Sequence, residues 1–457
     1  MMFADSNQQL TNEVKMSYKI EQGNEEINST GGVSLIGGIL KKANVFKAVD
    51  DLIMSKVKKG LVPHSGILKT MVGLFCMGKT DYADVESHRD DVVFKESLEL
   101  PSVPSEETLR QRLDDAAQTI TDEVLDDNVE LLKQVKDFGE VKTPHSTYTP
   151  VDMDVTPLDN GGTQKENVGR TYKGCDGYAP MMAYIGTFGH MLNCELRPGV
   201  QHSQNGMDAF LPRTIAMVEK LGVDNALYIL DSAHDAAETI DIFQSADCKF
   251  LVKRNLRRES PEQWLDLAAG IVKPVEPRPG KKVYIGGTPH QRPKNCKSEN
   301  PLFTVFEVIE RTTDHLGEEL LIPSVEVNLW WTNTYEDGET CVRLYHDHGT
   351  SEQFHSEYKT DVGIERLASG KFKTNALLTQ LGMIAFNVLR LMGQAALGFK
   401  EALPFKLNVE RRRLRSVMRD LVYLACKRVA HANRVILKFG RHCPWFECFR
   451  LLYVKFC

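Results

Sequence analysis

Apolar residues recur at helical spacing through residues 61–77 and again through 120–135, so residues 31–140 predict a mostly helical region behind a polar tail, residues 1–30. The period changes at Thr147. From there Tyr148-Thr-Pro-Val-Asp-Met-Asp-Val-Thr156 alternates and is rich in β-branched residues, which predicts a strand. Residues 178–188 and 191–197, divided by Gly189-His190, predict a hairpin; residues 206–221 return to the helical period; residues 226–230 form a short apolar strand that ends at Asp231. Strand, strand, strand, helix, strand is the order of a ribonuclease-H-like core, in which the first and fourth strands lie side by side.

Residues 248–340 are rich in Pro and Gly between strand-like pieces, and helical periodicity resumes at Thr350. The chain therefore predicts an α/β fold with helical N- and C-terminal regions. A catalytic core in two parts, 141–247 and 341–400, is interrupted by a β-rich insertion, 248–340. A helical N-terminal DNA-binding region, 31–140, and a basic helical C-terminal region, 401–457, flank it. The apolar run 374–389 falls short of the roughly 20 residues needed to cross a bilayer and predicts a buried helix. With no basic-then-apolar leader at its start, the chain predicts a cytoplasmic protein with no membrane partner.

Composition is that of an ordinary globular protein of 457 residues, 42% hydrophobic and 26% charged, which excludes a disordered chain. Ten cysteines without a CxxC pair predict buried thiols rather than a zinc site. The net charge of -6 conceals strong local differences: residues 401–457 carry +9, 249–297 carry +8 and 81–140 carry -12. The two basic stretches are available for phosphate contact. Arg411-Arg-Arg-Leu-Arg415 equally suits a solvated helix face, and Arg110 and Arg112, behind the helix-starting Ser105, suit either a DNA-reading helix or an ordinary capped one.

Candidate chemistry concentrates in Tyr345-His-Asp-His-Gly-Thr-Ser-Glu352 and the seven residues that follow. On one continuous helix, Tyr345, His348, Glu352 and Lys359 fall within a sector of about 60° and meet one substrate. Thr350-Ser-Glu-Gln353 also has the form of a capping box, so the helix alternatively starts at Thr350, with Glu352 in its first turn and Tyr345 and His348 approaching from the preceding loop. Asp152 and Asp154 share a face of the predicted strand, and alternation does not choose between them. Asp231 stands at the mouth of the next core strand. Two strand-end carboxylates and a helical glutamate form a set that can share two Mg²⁺ ions for phosphoryl transfer.

In these residues the chain resembles the DDE transposases of bacterial insertion sequences, most closely the group numbered 1380, related to the group 4 cut-and-paste transposases. That group's final motif has Tyr, Arg at +3, Glu at +7 and Lys at +14; Tyr345, Glu352 and Lys359 agree, and His348 departs from Arg. Val151-Asp-Met-Asp-Val-Thr156 resembles the first-acid strand and Tyr228-Ile-Leu-Asp-Ser232 the second, followed by Phe250-Leu-Val-Lys-Arg-Asn255. The resemblance implies Asp154, Asp231 and Glu352 as catalytic residues and ligands of two Mg²⁺ (or Mn²⁺) ions. It implies Tyr345, His348, Lys359, Lys253 and Arg254 on DNA, and a base-stacking role for Trp330 or Trp331 that competes with plain core packing. The implied partners are double-stranded DNA, as terminal inverted repeats and target, and a second copy of the chain in a synaptic complex. A nuclease without strand transfer and an inactive DNA-binding regulator are the alternatives.

Overall fold

The computed structural model describes residues 20–52, 60–120, 122–289, 292–347, 349, 351–432 and 434–457. His348 and Thr350, both singled out above, and residues 1–19 of the expected tail lie outside the described residues.

The helical N-terminal region forms as its apolar spacing requires. Its main helices are α1 (Val33–Lys42), α2 (His64–Cys76), α3 (Glu106–Ala116) and α4 (Asp122–Leu132). Ser105 caps α3 by accepting from the Thr108 N–H. On that helix Arg112 is buried, 2.8 Å from His64, while Arg110 is exposed and pairs with Glu107.

The centre of the molecule is a mixed ten-stranded sheet. Its strands are β1 (Thr147–Val155), β2 (Met181–Ile185), β3 (His190–Glu195), β4 (Ala226–Leu230), β5 (Lys249–Arg254), β6 (Val275–Arg278), β7 (Lys281–Pro289), β8 (Phe303–Thr313) and β9 (Glu319–Thr332). They run in the order β6-β7-β8-β9-β5-β4-β1-β2-β3, and the short strand Val141–Lys142 pairs with β1. As the element order predicts, β1 and β4 are parallel neighbours, with Asp152 opposite Ile229 and Met153 opposite Leu230. The region 248–340 is β-rich, but its strands do not stand apart: β9 pairs antiparallel with β5, itself parallel to β4, so β6 to β9 continue the core sheet sideways.

Helices cover both faces. On one side, Val151, Met153, Tyr228, Leu230, Phe250 and Trp331 pack towards α5 (Met207–Lys220) and α6 (Ala237–Ser245), where Phe243 stacks on Phe250 with ring centroids 5.1 Å apart. Further along, α7 (Pro261–Ile271) packs Trp264 against Phe306 and Leu329. On the other side, Tyr148, Leu227, Ile229, Leu251 and Trp330 pack against Cys341, Val342 and Leu344 of α8 (Gly338–Asp347). Trp330 and Trp331 thus point to opposite faces, as strand alternation demands, yet both are buried because both faces are covered. They serve packing.

The chain breaks after α8 and restarts as α9 (Ser351–Ser356), which runs into a wider turn, Glu357–Asp361. Tyr345 therefore sits on a helix of its own and Glu352 in the first turn of the next. The long helix α10 (Phe372–Leu397) has the length and composition to cross a membrane, but its apolar window is 89% buried inside the protein, which makes it the core helix expected.

One expectation fails in residues 401–457. The basic segment 411–438 is not simply helical: it contains a hairpin of β10 (Cys426–His431) and β11 (Arg434–Phe439), to which Ile27–Asn28 adds a third strand. Val429 faces Ile436 and Ala430 faces Val435, β-branched pairs that suit a pleated surface, and these outweigh the basic residues between them. The chain closes with helix α11 (Phe446–Phe456).

Candidate active site

The register between β1 and β4 fixes the first two acids. The last register pair is Met153–Leu230, so Asp154 and Asp231 each come one residue later, at the adjoining ends of two parallel neighbours. Both side chains are partly open to water, 29% and 39% exposed. Asp152, two residues back on the same face, is buried between Tyr184 and Ile229. Exposure at the strand end separates the two candidates that alternation left equal, and favours Asp154.

Four further groups surround this pair. Tyr345 packs its ring on Trp330 at 5.5 Å and lies beneath the Lys253 ammonium at 5.7 Å. Burial pushes its phenol well above the ordinary range, and the negative charges of Asp231 and Asp154 push it further. His234 is fully buried with Nε2 3.7 Å from an Asp231 oxygen; loss of water lowers its pKa to about 4, so it stands there neutral. His355, also buried, brings Nε2 to 3.6 Å from Asp154 Oδ2 while its Nδ1 lies 3.2 Å from the Tyr184 hydroxyl. Tyr172 donates its hydroxyl to the Val155 carbonyl at 2.8 Å, next door to Asp154.

Lys359 belongs to the same neighbourhood. Its ammonium donates to the Pro157 carbonyl just beyond β1, and burial lowers its pKa while the carboxylates of Glu365 and Asp154 work the other way. Lys253 and Arg254, adjacent on β5, fall on opposite faces. Lys253 shares the face of the acids; Arg254 lies on the far side, 4.5 Å over the Trp331 ring and paired with Glu259, where burial lowers its pKa.

Glu352, the third acid the resemblance implies, stands on α9. Its side chain is exposed in the first turn of α9, and it is His355, one turn later, that meets Asp154. Among the described residues no three of His, Cys, Asp and Glu are grouped to hold a metal ion. The donor set fits a divalent cation in part: two hard carboxylates at neighbouring strand ends suit Mg²⁺ or Mn²⁺. Sequence reasoning missed His234, His355 and Tyr172. His355 had a signal, since it stands at +3 from Glu352 on one helical face; the other two had none beyond their residue types.

The arginines 411–415 divide: Arg411 and Arg412 are largely covered, whereas Arg413 and Arg415 stay more than half exposed while paired. Arg411 pairs with Glu357, and Arg413 and Arg415 with Asp361, both acids buried in the turn that follows α9.

Two family models match the sequence. One, described as transposase DDE domain group 1, spans residues 11–260, and the other, described as transposase DDE domain, spans residues 145–388. No curated protein matches. Among solved structures the chain is similar to the piggyBac transposase in its synaptic complex with hairpin DNA, determined by cryo-EM, at a TM-score of 0.41 and 9% identity over 86% of this chain and 80% of that one. Each family model covers more than half of the sequence, and both carry one description: the chain belongs to the DDE-domain transposases.

Proposed function

We propose that this chain is a DNA transposase of the bacterial insertion-sequence type, of the group numbered 1380. It binds the terminal inverted repeats of its element, cleaves at the ends and joins the freed 3′-hydroxyls to target DNA, working as a homodimer because two ends must be joined. The observation that supports the reading is that Asp154 and Asp231 stand at the adjoining ends of the parallel neighbours β1 and β4 in a chain of this family.

Asp154 and Asp231 would hold a divalent cation, and Glu352 would complete the set. Such a cation, when bound, neutralises charge on the reacting phosphate and activates the attacking oxygen. The chain's own groups do the rest. Lys253 and Lys359 flank the acids with positive charge for neighbouring phosphates, and His348, outside the described residues, is assigned to DNA from its sequence position alone, where the group has Arg. Neutral His234 stands against Asp231, and His355 lies against Asp154.

The test is cleavage of a duplex taken from the DNA flanking the coding region, with Mg²⁺ or Mn²⁺, followed by product analysis. Joined products mark strand transfer, and cut ends alone mark a nuclease. Asp154→Asn and Asp231→Asn are each expected to slow cleavage by about 10³-fold, the loss of several kcal/mol of charge stabilisation. Cleavage at the native rate by either variant overturns the assignment. That no three such ligands are grouped among the described residues favours a second reading, an inactive DNA-binding regulator, which predicts binding to the same duplex with no cleavage at all.

A further inference from the structure

Tyr172 is 62% exposed, an unusual setting for a large ring beside two carboxylates. It is nevertheless held in place. The short strands Gly169–Arg170 and Asp176–Tyr178 pair antiparallel, and between them the Gly174 N–H donates to the Thr171 carbonyl at 2.9 Å. That bond closes a tight turn with Tyr172 and Lys173 at its two central positions, and Gly174 follows at φ 81°, a conformation glycine adopts freely. Thr171 donates twice to the Cys175 carbonyl, through its N–H and its hydroxyl, both at 2.9 Å.

From this rigid tip the Tyr172 hydroxyl reaches the Val155 carbonyl, so the ring stands over the end of β1. The Lys173 ammonium lies 5.8 Å from its centroid, and Arg170, 69% exposed, stands at the base of the hairpin. Lys173 is also close enough to Lys359 to lower its pKa by repulsion. Water-exposed aromatic surface, flanking cations and a pair of metal-type carboxylates thus meet within one small region. The two tryptophans that the sequence offered for base stacking are buried, 1% and 3% exposed, and cannot take that part as they stand.

We propose that Tyr172 is a stacking platform for a nucleobase next to the reacting phosphate, with Lys173 on the adjoining backbone phosphate. The proposal rests on the DNA-transposase reading above. A phenol ring accepts any base through its π-face, so the platform positions the strand without reading its sequence, and the hydroxyl anchor to Val155 ties the position of the base to the strand that carries Asp154.

The test uses the full chain and a forked duplex with 2-aminopurine in the single-stranded arm at the fork, measured in EDTA so that binding is seen without turnover. Native protein is expected to quench the 2-aminopurine. Tyr172→Ala and Tyr172→Leu should lose the quench and weaken binding by about tenfold, the size of one lost base stack, and Tyr172→Phe should restore most of both. Circular dichroism and melting temperature confirm that each variant folds. Native quenching and affinity in the Ala and Leu variants overturn the platform, and a Phe variant as poor as Ala overturns it too, since the hydroxyl and not the ring would then matter. If the native protein neither binds nor cleaves flanking-region DNA, the transposase reading itself falls, and the platform with it.

Discussion

Glu357 is a carboxylate almost without water, 4% exposed, and it survives there because three donors converge on it: Arg390 at 3.0 Å, the Leu414 N–H at 3.0 Å and Arg411. Arg390 is wholly buried and spends another N–H on the Arg412 carbonyl at 2.8 Å; burial lowers its pKa to about 10, with Glu357 holding it up. A buried pair of this kind contributes little net energy when intact but is costly to break, because the survivor keeps its charge in a place with little water. Glu357→Gln, which leaves two guanidinium groups facing a neutral amide, is expected to lower unfolding free energy by about 3 kcal/mol or more in urea titrations. A loss below about 1 kcal/mol would mean that water reaches the pair. The same cluster ties the Arg411–Arg415 stretch to the turn after α9, so this residue-scale network is what supports the helix bearing Glu352.

Among the elements, the small sheet beside the acids depends on close backbone approach. Leu158–Asp159, Asp176–Tyr178 and Gly169–Arg170 form it in that order. A Cβ on Gly199 would lie 2.2 Å from the Gly177 carbonyl oxygen and 2.3 Å from that of Gly169, far inside contact distance and against atoms that cannot rotate away. Gly199→Ala should therefore push the hairpin that carries Tyr172 off its seat. The expected cost is about 1–3 kcal/mol of stability by calorimetry, with cleavage falling more steeply than stability does. Unchanged cleavage in this variant would disconnect the small sheet from the site. At the same scale, α8 and α9 give Tyr345 and Glu352 separate supports: α8 packs on the sheet, and α9 is seated by the buried Phe354 and His355.

For the molecule as a whole, two buried histidines set its response to acid. Loss of water lowers His190 from its ordinary value of 6.5 to about 3, helped by the charge of Arg390, and lowers His234 to about 4. Both are neutral in the folded protein. Below pH 6.5 the unfolded chain takes up protons that the folded one refuses, so the stability these groups contribute is complete above that pH. It is lost as pH falls, down to about 4 for His234 and about 3 for His190. Urea midpoints should therefore rise with pH across this window. His190 has no hydrogen-bond partner on either ring nitrogen and packs edge-on to Phe138 at 5.5 Å. His190→Leu should accordingly flatten the rise without a large loss near neutrality, and an unchanged slope would rule out His190 as its source.

Period and order along the chain were enough for β1 to β4, α5, α10 and the strand-end positions of Asp154 and Asp231, because alternation and a 3.6-residue repeat are local properties that burial on one side imposes on the sequence itself. Those positions, with the spacing of Tyr345, Glu352 and Lys359, were also enough for the family. Tertiary contacts decided the rest. Which basic residues face outward depends on partners distant in sequence: Arg411, Arg413 and Arg415 found Glu357 and Asp361, and Arg254 found Trp331 and Glu259. Charge patterning alone does not encode such pairings. Whether 248–340 stood apart or extended the core sheet turned on the hydrogen bonds between β9 and β5, which sequence period does not specify. Only the folded chain set His234, His355 and Tyr172 around the acids, since neighbours in space contributed by different strands and loops leave no mark on the spacing of either.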